Sequence, residues 1–318
     1  MARLATRPTF LSSNRLLARK VARPVARFLA VEASGGVVLV IAAAAALAWA
    51  NSPWSASYQA LWETEAAVDL GRWTVRHDLR HWVNDGLMAL FFFVVGLEVK
   101  VELVSGRLSR RADAAFPVAA ALGGMVVPAA IFALANAGRQ SADGWGIPMA
   151  TDIAFAVGVV ALLGDRVPAT LKVALLGIAV VDDIGAIVVI ALFYTDTLAV
   201  QWALVAVAGL AVAVLLRRAR VWYFPAYAAV GIVVWFATLQ SGVHATIAGV
   251  ALGLLAPGRP LMGEIDAERV AHQLSSDQDV SAREVREVAF RIRESIPVAD
   301  RLLDFLHPWS SYVIVPVF

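Results

Sequence analysis

The sequence predicts an all-α polytopic membrane protein, and three observations carry that prediction. Of its 318 residues 60% are hydrophobic and the mean hydropathy is +0.71, well above the roughly 45–50% apolar usage of soluble domains. Apolar runs close to the roughly 20 residues that a bilayer-crossing helix needs recur along the chain. Charged residues gather between those runs, and the basic ones alternate from side to side.

Residues 1–30 form a basic tail (Arg3, Arg7, Arg15, Arg19, Lys20, Arg23, Arg27) with no uninterrupted apolar core and no small-residue cleavage site, so it is a retained arm rather than a secretory signal. Residues 31–258 hold eight apolar spans near 33–50, 83–104, 115–137, 146–164, 169–194, 199–216, 222–239 and 242–256. Lys100, Arg107, Arg110 and Arg111 follow the second span, Arg166 and Lys172 the fourth, and Arg217, Arg218 and Arg220 the sixth. Excess Lys and Arg mark the cytoplasmic side, so the N-terminus and these loops are expected on the cytoplasmic face of a cell membrane.

Residues 259–301 are a charged cytoplasmic loop in which Ser281 and Glu284 have capping-box spacing ahead of an apolar stripe, and 302–318 begin a ninth span. The chain stops inside that apolar run; a helix cut at mid-bilayer leaves backbone groups unsatisfied in lipid, so an incomplete protein is expected. The net charge of +2 reflects the tail, and no nucleic-acid partner is expected. Zero cysteines exclude disulfides and thiolate metal sites.

Function is concentrated in LKVALLGIAVVDDIGAIVVIALFY (171–194), where Asp182 and Asp183 interrupt a bilayer-length apolar run. A carboxylate at the bilayer centre costs about 3 kcal/mol on insertion scales, so such residues face a wet or protein-lined interior and serve an ion path. The preceding span, GIPMATDIAFAVGVVALLGD (146–165), adds Asp152, with Thr151 and Pro148 before it. Counted from the turn near 165–168, Asp152 and Asp183 lie about 20 and 22 Å from one membrane edge. Pro148 breaks the helix near it, Thr151 and Asp152 fit as caps of a half-helix starting at Ile153, and broken helices at mid-depth are how transporters assemble ion sites.

Adjacent helical positions point about 100° apart, so one of Asp182 and Asp183 faces the ion and the other a partner. Carboxylate oxygens suit hard cations and, without Cys or clustered His, not a transition metal. Apolar surroundings and a second carboxylate both favour the neutral acid. Protons and a cation then compete for the same oxygens, which is antiport chemistry, with no cofactor and no enzymatic step. An intramembrane aspartyl protease also uses carboxylates on neighbouring helices, but the motifs TDIAF and VVDDIG lack its usual GxGD.

The strings VNDGLMALFFFVVGLEVKVEL, ATDIAFAVGVVALLG, VVDDIGAIVVIALFYT, SGVHATIAGV and LHPW resemble the NhaA family of bacterial sodium/proton antiporters, in order from about Ala33 to the last residue. The family is itself an established case of inverted repeats with broken helices. The resemblance implies electrogenic exchange of sodium or lithium for protons, with Asp183 the essential carboxylate, Asp182 its partner, and Thr151 and Asp152 in the broken helix beside them. It implies a pH response at Glu98 and Glu102, which lie i,i+4 on one face, with His244, Asp304 and His307 as further matching positions, and it suggests a homodimer. In the family a second inverted repeat supplies another broken helix and a lysine. Here that repeat is missing, so an inactive truncated antiporter is the alternative expectation.

Overall fold

A computed structural model describes residues 34–69, 74–149, 166–193, 198–219, 223–260 and 293–318, with isolated positions between them. Thr151, Asp152, the basic tail and the capping box at Ser281 and Glu284 lie outside the described residues. The chain is mostly helical. Large apolar side chains cover its exterior, Leu134 being 80% exposed and Ile147 76%, as expected where lipid rather than water meets the surface.

The first apolar run forms α1 (Ser34–Ala50), and the chain then turns by 114° into α2 (Ser55–Trp62). A two-stranded antiparallel hairpin follows, β1 (Glu65–Asp69) with β2 (Thr74–Asp78), pairing Glu65 with Asp78 and Asp69 with Thr74. The hairpin is a local exception within a mostly helical chain, as the all-α expectation has it: in this polar stretch between apolar runs, backbone groups pair across strands. A short helix, α3 (Leu79–His81), is capped by Asp78, whose Oδ1 accepts from the His81 N–H at 2.7 Å. It runs through a π-helical turn (Trp82–Leu87) into α4 (Met88–Val104), so the second span has a wider turn at its head than an uninterrupted α-helix.

Next come α5 (Arg111–Ala135), with Pro117 and Pro128 inside it, and a 3-10 segment (Gln140–Met149) containing Pro148. Then follow α6 (Ala169–Phe193), α7 (Val200–Arg218), α8 (Phe224–Gln240), α9 (Thr246–Leu255) and α10 (Val298–Trp309). A π-helical turn (Ser310–Ile314) and α11 (Val315–Val317) end the described chain. Among the described residues, three helices are long and apolar enough to cross a membrane, and α1 with α2 makes a fourth if the bent pair is one span. The eighth run is shorter than expected because Gly242, at φ 81°, turns the chain after α8 in a conformation that L side chains rarely adopt.

Small residues set the closest contacts. A Cβ on Gly253 of α9 would meet the Phe93 carbonyl oxygen at 2.6 Å and the Gly96 carbonyl carbon at 2.8 Å, and one on Gly249 would strike the Ala89 carbonyl. This is close backbone approach of the small-xxx-small kind that replaces hydrophobic driving force between helices in lipid. Leu97 of α4, Ala256 and Ala299 then form a buried cluster flanked by Phe93, Val101, Leu302, Leu303 and Leu306, which seats α10 on α4. Beside it α7 and α8 meet where Val234 lies over Gly209.

Candidate ion site

The aspartate-bearing helix α6 lies along α5. Their contact is made by the Pro117 ring, 3.3 Å from a Cβ position on Gly177, and by Met125, whose thioether lies over Gly185. Gly177 and Gly185 are eight residues apart, so their directions differ by about 80° and together they span the part of α6 that meets α5. Asp182 lies between these two contacts and is only 4% exposed, whereas Asp183 is half-buried. The expected divergence of the two side chains is therefore visible as unequal burial. Both carboxylates interact with other groups of the protein.

Beyond the pair, towards the C-terminal end of α6, Met125, Ala129 and Met149 form a buried apolar cluster with Trp145 and Val189 against it. The Trp145 and Phe193 rings meet edge to face at 5.2 Å. The α5–α6 pair and the 3-10 segment thus place an apolar layer on one side of the carboxylates. Pro148 does not interrupt that segment, which runs to Met149. Among the described residues no group of three His, Cys, Asp or Glu side chains is arranged to hold a metal ion.

The residues proposed for pH response do not converge at one place. Glu98 and Glu102 are half-buried on α4, and Glu102 Oε1 accepts from the Leu108 N–H at 3.4 Å. Asp304 and His307 are exposed on α10, while Leu302, Leu303 and Leu306 make its apolar contact with α4. His244 is exposed ahead of α9. It faces Asp85, which interacts electrostatically with His81, His244 and His77. This last group was missed from the sequence, although His77, His81 and Asp85 stand at successive i,i+4 spacings that carry a visible signal.

Apolar helices joined by backbone-close contacts, with a buried and a half-buried carboxylate adjacent in the middle of one of them, define an integral membrane protein of the ion-carrier class. The model of the Na+/H+ antiporter 1 family matches residues 26–318. The chain is 49% identical to Na(+)/H(+) antiporter NhaA 2 of Sorangium cellulosum (strain So ce56), over 98% of this chain and 68% of that protein. It is 46% identical to the NhaA antiporter of Oleidesulfovibrio alaskensis, over 94% and 69% of the two chains, and 45% identical to that of Rhodopirellula baltica, over 93% and 69%. The chain belongs to the Na+/H+ antiporter 1 family, the NhaA-type antiporters, and spans about two thirds of the length of these relatives.

Proposed function

We propose that this protein exchanges sodium or lithium for protons across the cell membrane, with Asp183 and Asp182 binding cation and proton alternately; sodium/proton antiport is what the names of its relatives describe for them. The observation that carries this reading is the unequal burial of the pair within an apolar helix. Asp183, the less buried, is positioned to exchange ligands with a water-filled path. Asp182, enclosed between the two contacts with α5, holds the site's geometry and shares its charge. When protons leave, the carboxylates offer anionic oxygens to a hard cation; when the cation leaves, protonation removes the expense of burying charge.

Thr151 and Asp152 belong to the same site in this proposal, supported by their computed depth in the sequence and by the family match. So do eight spans with a cytoplasmic N-terminus, supported by the basic-residue alternation, and assembly as a homodimer in the bilayer, supported by the family resemblance. Exchange of unequal charge draws on the membrane potential, worth about 2.3 kcal/mol per elementary charge per 100 mV. The test is sodium-induced dequenching of a pH-sensitive dye in everted vesicles. Wild type should dequench, and Asp183→Asn should lose the response by at least about 100-fold in initial rate, since one of the titrating ligands is gone. Undiminished antiport in Asp183→Asn would overturn the assignment.

A further inference from the structure

The most unusual polar cluster outside the ion site lies where the hairpin joins the second span. His81 is flanked by two carboxylates: its Nδ1 is 3.8 Å from Asp78 Oδ1 and its Nε2 is 3.7 Å from Asp85 Oδ2. Its ring stacks on His77, with centroids 4.7 Å apart and planes 9° from parallel. The His77 ring in turn meets Trp82 edge-on at 6.4 Å. Asp78 ends β2 and caps α3, Asp85 sits in the π-helical turn, and the Asp85 carbonyl accepts a 2.6 Å hydrogen bond from Trp235 Nε1 of α8. Trp82 and Trp235 stack at 6.4 Å. A single carboxylate therefore stands where the hairpin, the head of α4, α8 and the residue before α9 meet.

Both contacts are at ion-pair rather than hydrogen-bond distance. A neutral imidazole has no net charge to offer either carboxylate, whereas imidazolium attracts both, so only the protonated ring draws Asp78 and Asp85 to one cation. We propose that His81 is a proton-operated staple, fastening the end of the hairpin (Asp78) to the head of the second span (Asp85) when doubly protonated and releasing them when it loses a proton. The His81 side chain is 56% exposed, so it exchanges protons with the aqueous phase on the face opposite the basic loops. Histidine is the side chain whose charge ordinarily changes between pH 5 and 8, so the device responds to the medium on that face. It is separate from Glu98 and Glu102.

The other charged and titratable groups around it are accounted for element by element. His77 on β2 and His244 ahead of α9 also interact with Asp85. Arg76 on β2 is engaged with Glu65 of β1 at 3.8 Å. Arg80 on α3 is exposed, as is Glu63 at the end of α2. The residue that α8 contributes is Trp235, which does not titrate. The direction follows from the two carboxylates: without a cation between them Asp78 and Asp85 lose their common partner. The fastened state is thus favoured below the imidazole range and lost as pH rises.

The inference stands apart from the antiport reading, and its test reads structure rather than transport. Hydrogen–deuterium exchange of the purified full chain in lipid nanodiscs, corrected for intrinsic exchange, is compared at about pH 5.5 and about pH 8, either side of the imidazole range. Residues 78–87 of wild type should be about fivefold more protected at the acid pH, the size expected for two partly exposed charge pairs. His81→Gln should lose that pH difference, and so should Asp85→Asn. His81→Lys, with a permanent positive charge, should stay protected at both. A wild type with no pH difference in this segment, or a His81→Gln that keeps it, overturns the proposal. If His81→Gln does not fold, His81→Lys decides: a retained pH difference refutes the staple, and constant protection supports it.

Discussion

Replacing Gly253 by alanine tests the idea that α4 and α9 are held at backbone contact. The new methyl would lie 2.6 Å from the Phe93 carbonyl oxygen and 2.8 Å from both the Gly96 carbonyl carbon and the Leu97 nitrogen. An ordinary carbon contact needs about 3.5 Å or more, so the helices must part by somewhat under 1 Å, and the obstacle is backbone that cannot rotate away. Overpacking of this kind costs about 1–3 kcal/mol. Alanine regains about 0.5–1 kcal/mol over glycine in a helix interior, leaving a net loss of about 1–2 kcal/mol. At about 2–4 °C per kcal/mol, the apparent Tm of detergent-solubilised protein, followed by size-exclusion chromatography after heating, should fall by roughly 2–8 °C. Gly123→Ala and Gly124→Ala on α5 are the internal control, since a Cβ there meets nothing within 4 Å; they should match wild type or exceed it slightly. A Gly253→Ala protein as stable as Gly123→Ala would refute the close-contact argument.

Three further outcomes follow from other contacts. Gly185→Ala meets the end of the Met125 side chain rather than backbone, so the thioether can turn aside, and the Tm loss measured the same way should be less than half that of Gly253→Ala. Arg301→Ala removes the guanidinium that reaches Glu294 Oε1 at 3.0 Å and Oε2 at 3.4 Å, leaving a carboxylate that is 6% exposed with Arg293 at 3.7 Å as its remaining ion-pair partner among the described residues. Thermal unfolding should register a loss of about 2 kcal/mol, partly restored in Arg301→Lys. Burial, and after it the neighbouring Asp304, push the Asp300 carboxyl above its ordinary value. The folded chain then binds this proton more tightly than the unfolded one, so the strain is absent below about pH 4 and grows as pH rises through the ordinary carboxylate range. Asp300→Asn should therefore raise Tm slightly near neutral pH and leave it unchanged near pH 3.5 in a parallel melt series.

Four of the expected spans were legible because apolar length is read directly: α1, α6, α7 and α8 lie within two residues of their expected ends. The hairpin was not legible, since EAAVD and TVRHD carry neither alternating apolarity nor a run of β-branched residues; tertiary contacts tie it down, the Leu79 N–H donating to the Thr64 carbonyl and Trp82 Nε1 to the Ala66 carbonyl, each at 3.0 Å. The π-helical turn at Trp82–Leu87 has no sequence mark at all. In the candidate ion site, the divergence of Asp182 from Asp183 followed from helix geometry, but which of them is buried depends on how α6 packs in the fold. The histidine cluster was half legible. The spacing of His77, His81 and Asp85 lies in the sequence, whereas the approach of His244 and Trp235 from distant helices does not.

The two kinds of helix contact divide the protein mechanically. Between α4 and α9 the facing atoms are carbonyl oxygens, amide nitrogens and α-carbons, which have no side-chain freedom to yield; a close-packed interface of this sort transmits displacement rather than absorbing it. Between α5 and α6 the atoms over Gly177 and Gly185 are a proline ring and a methionine thioether, and methionine is the most adaptable of the apolar side chains. The carboxylate helix is therefore seated on a surface that can reshape by rotamer change, beside a pair fixed at its closest approach. An exchanger must alter access to its site without dismantling itself, and the small adjustments this needs are least costly where side chains, not backbones, form the seam. Asp182 stands between the two contact points in height along α6, so a shift of α5 against α6 moves the helix that carries the buried carboxylate.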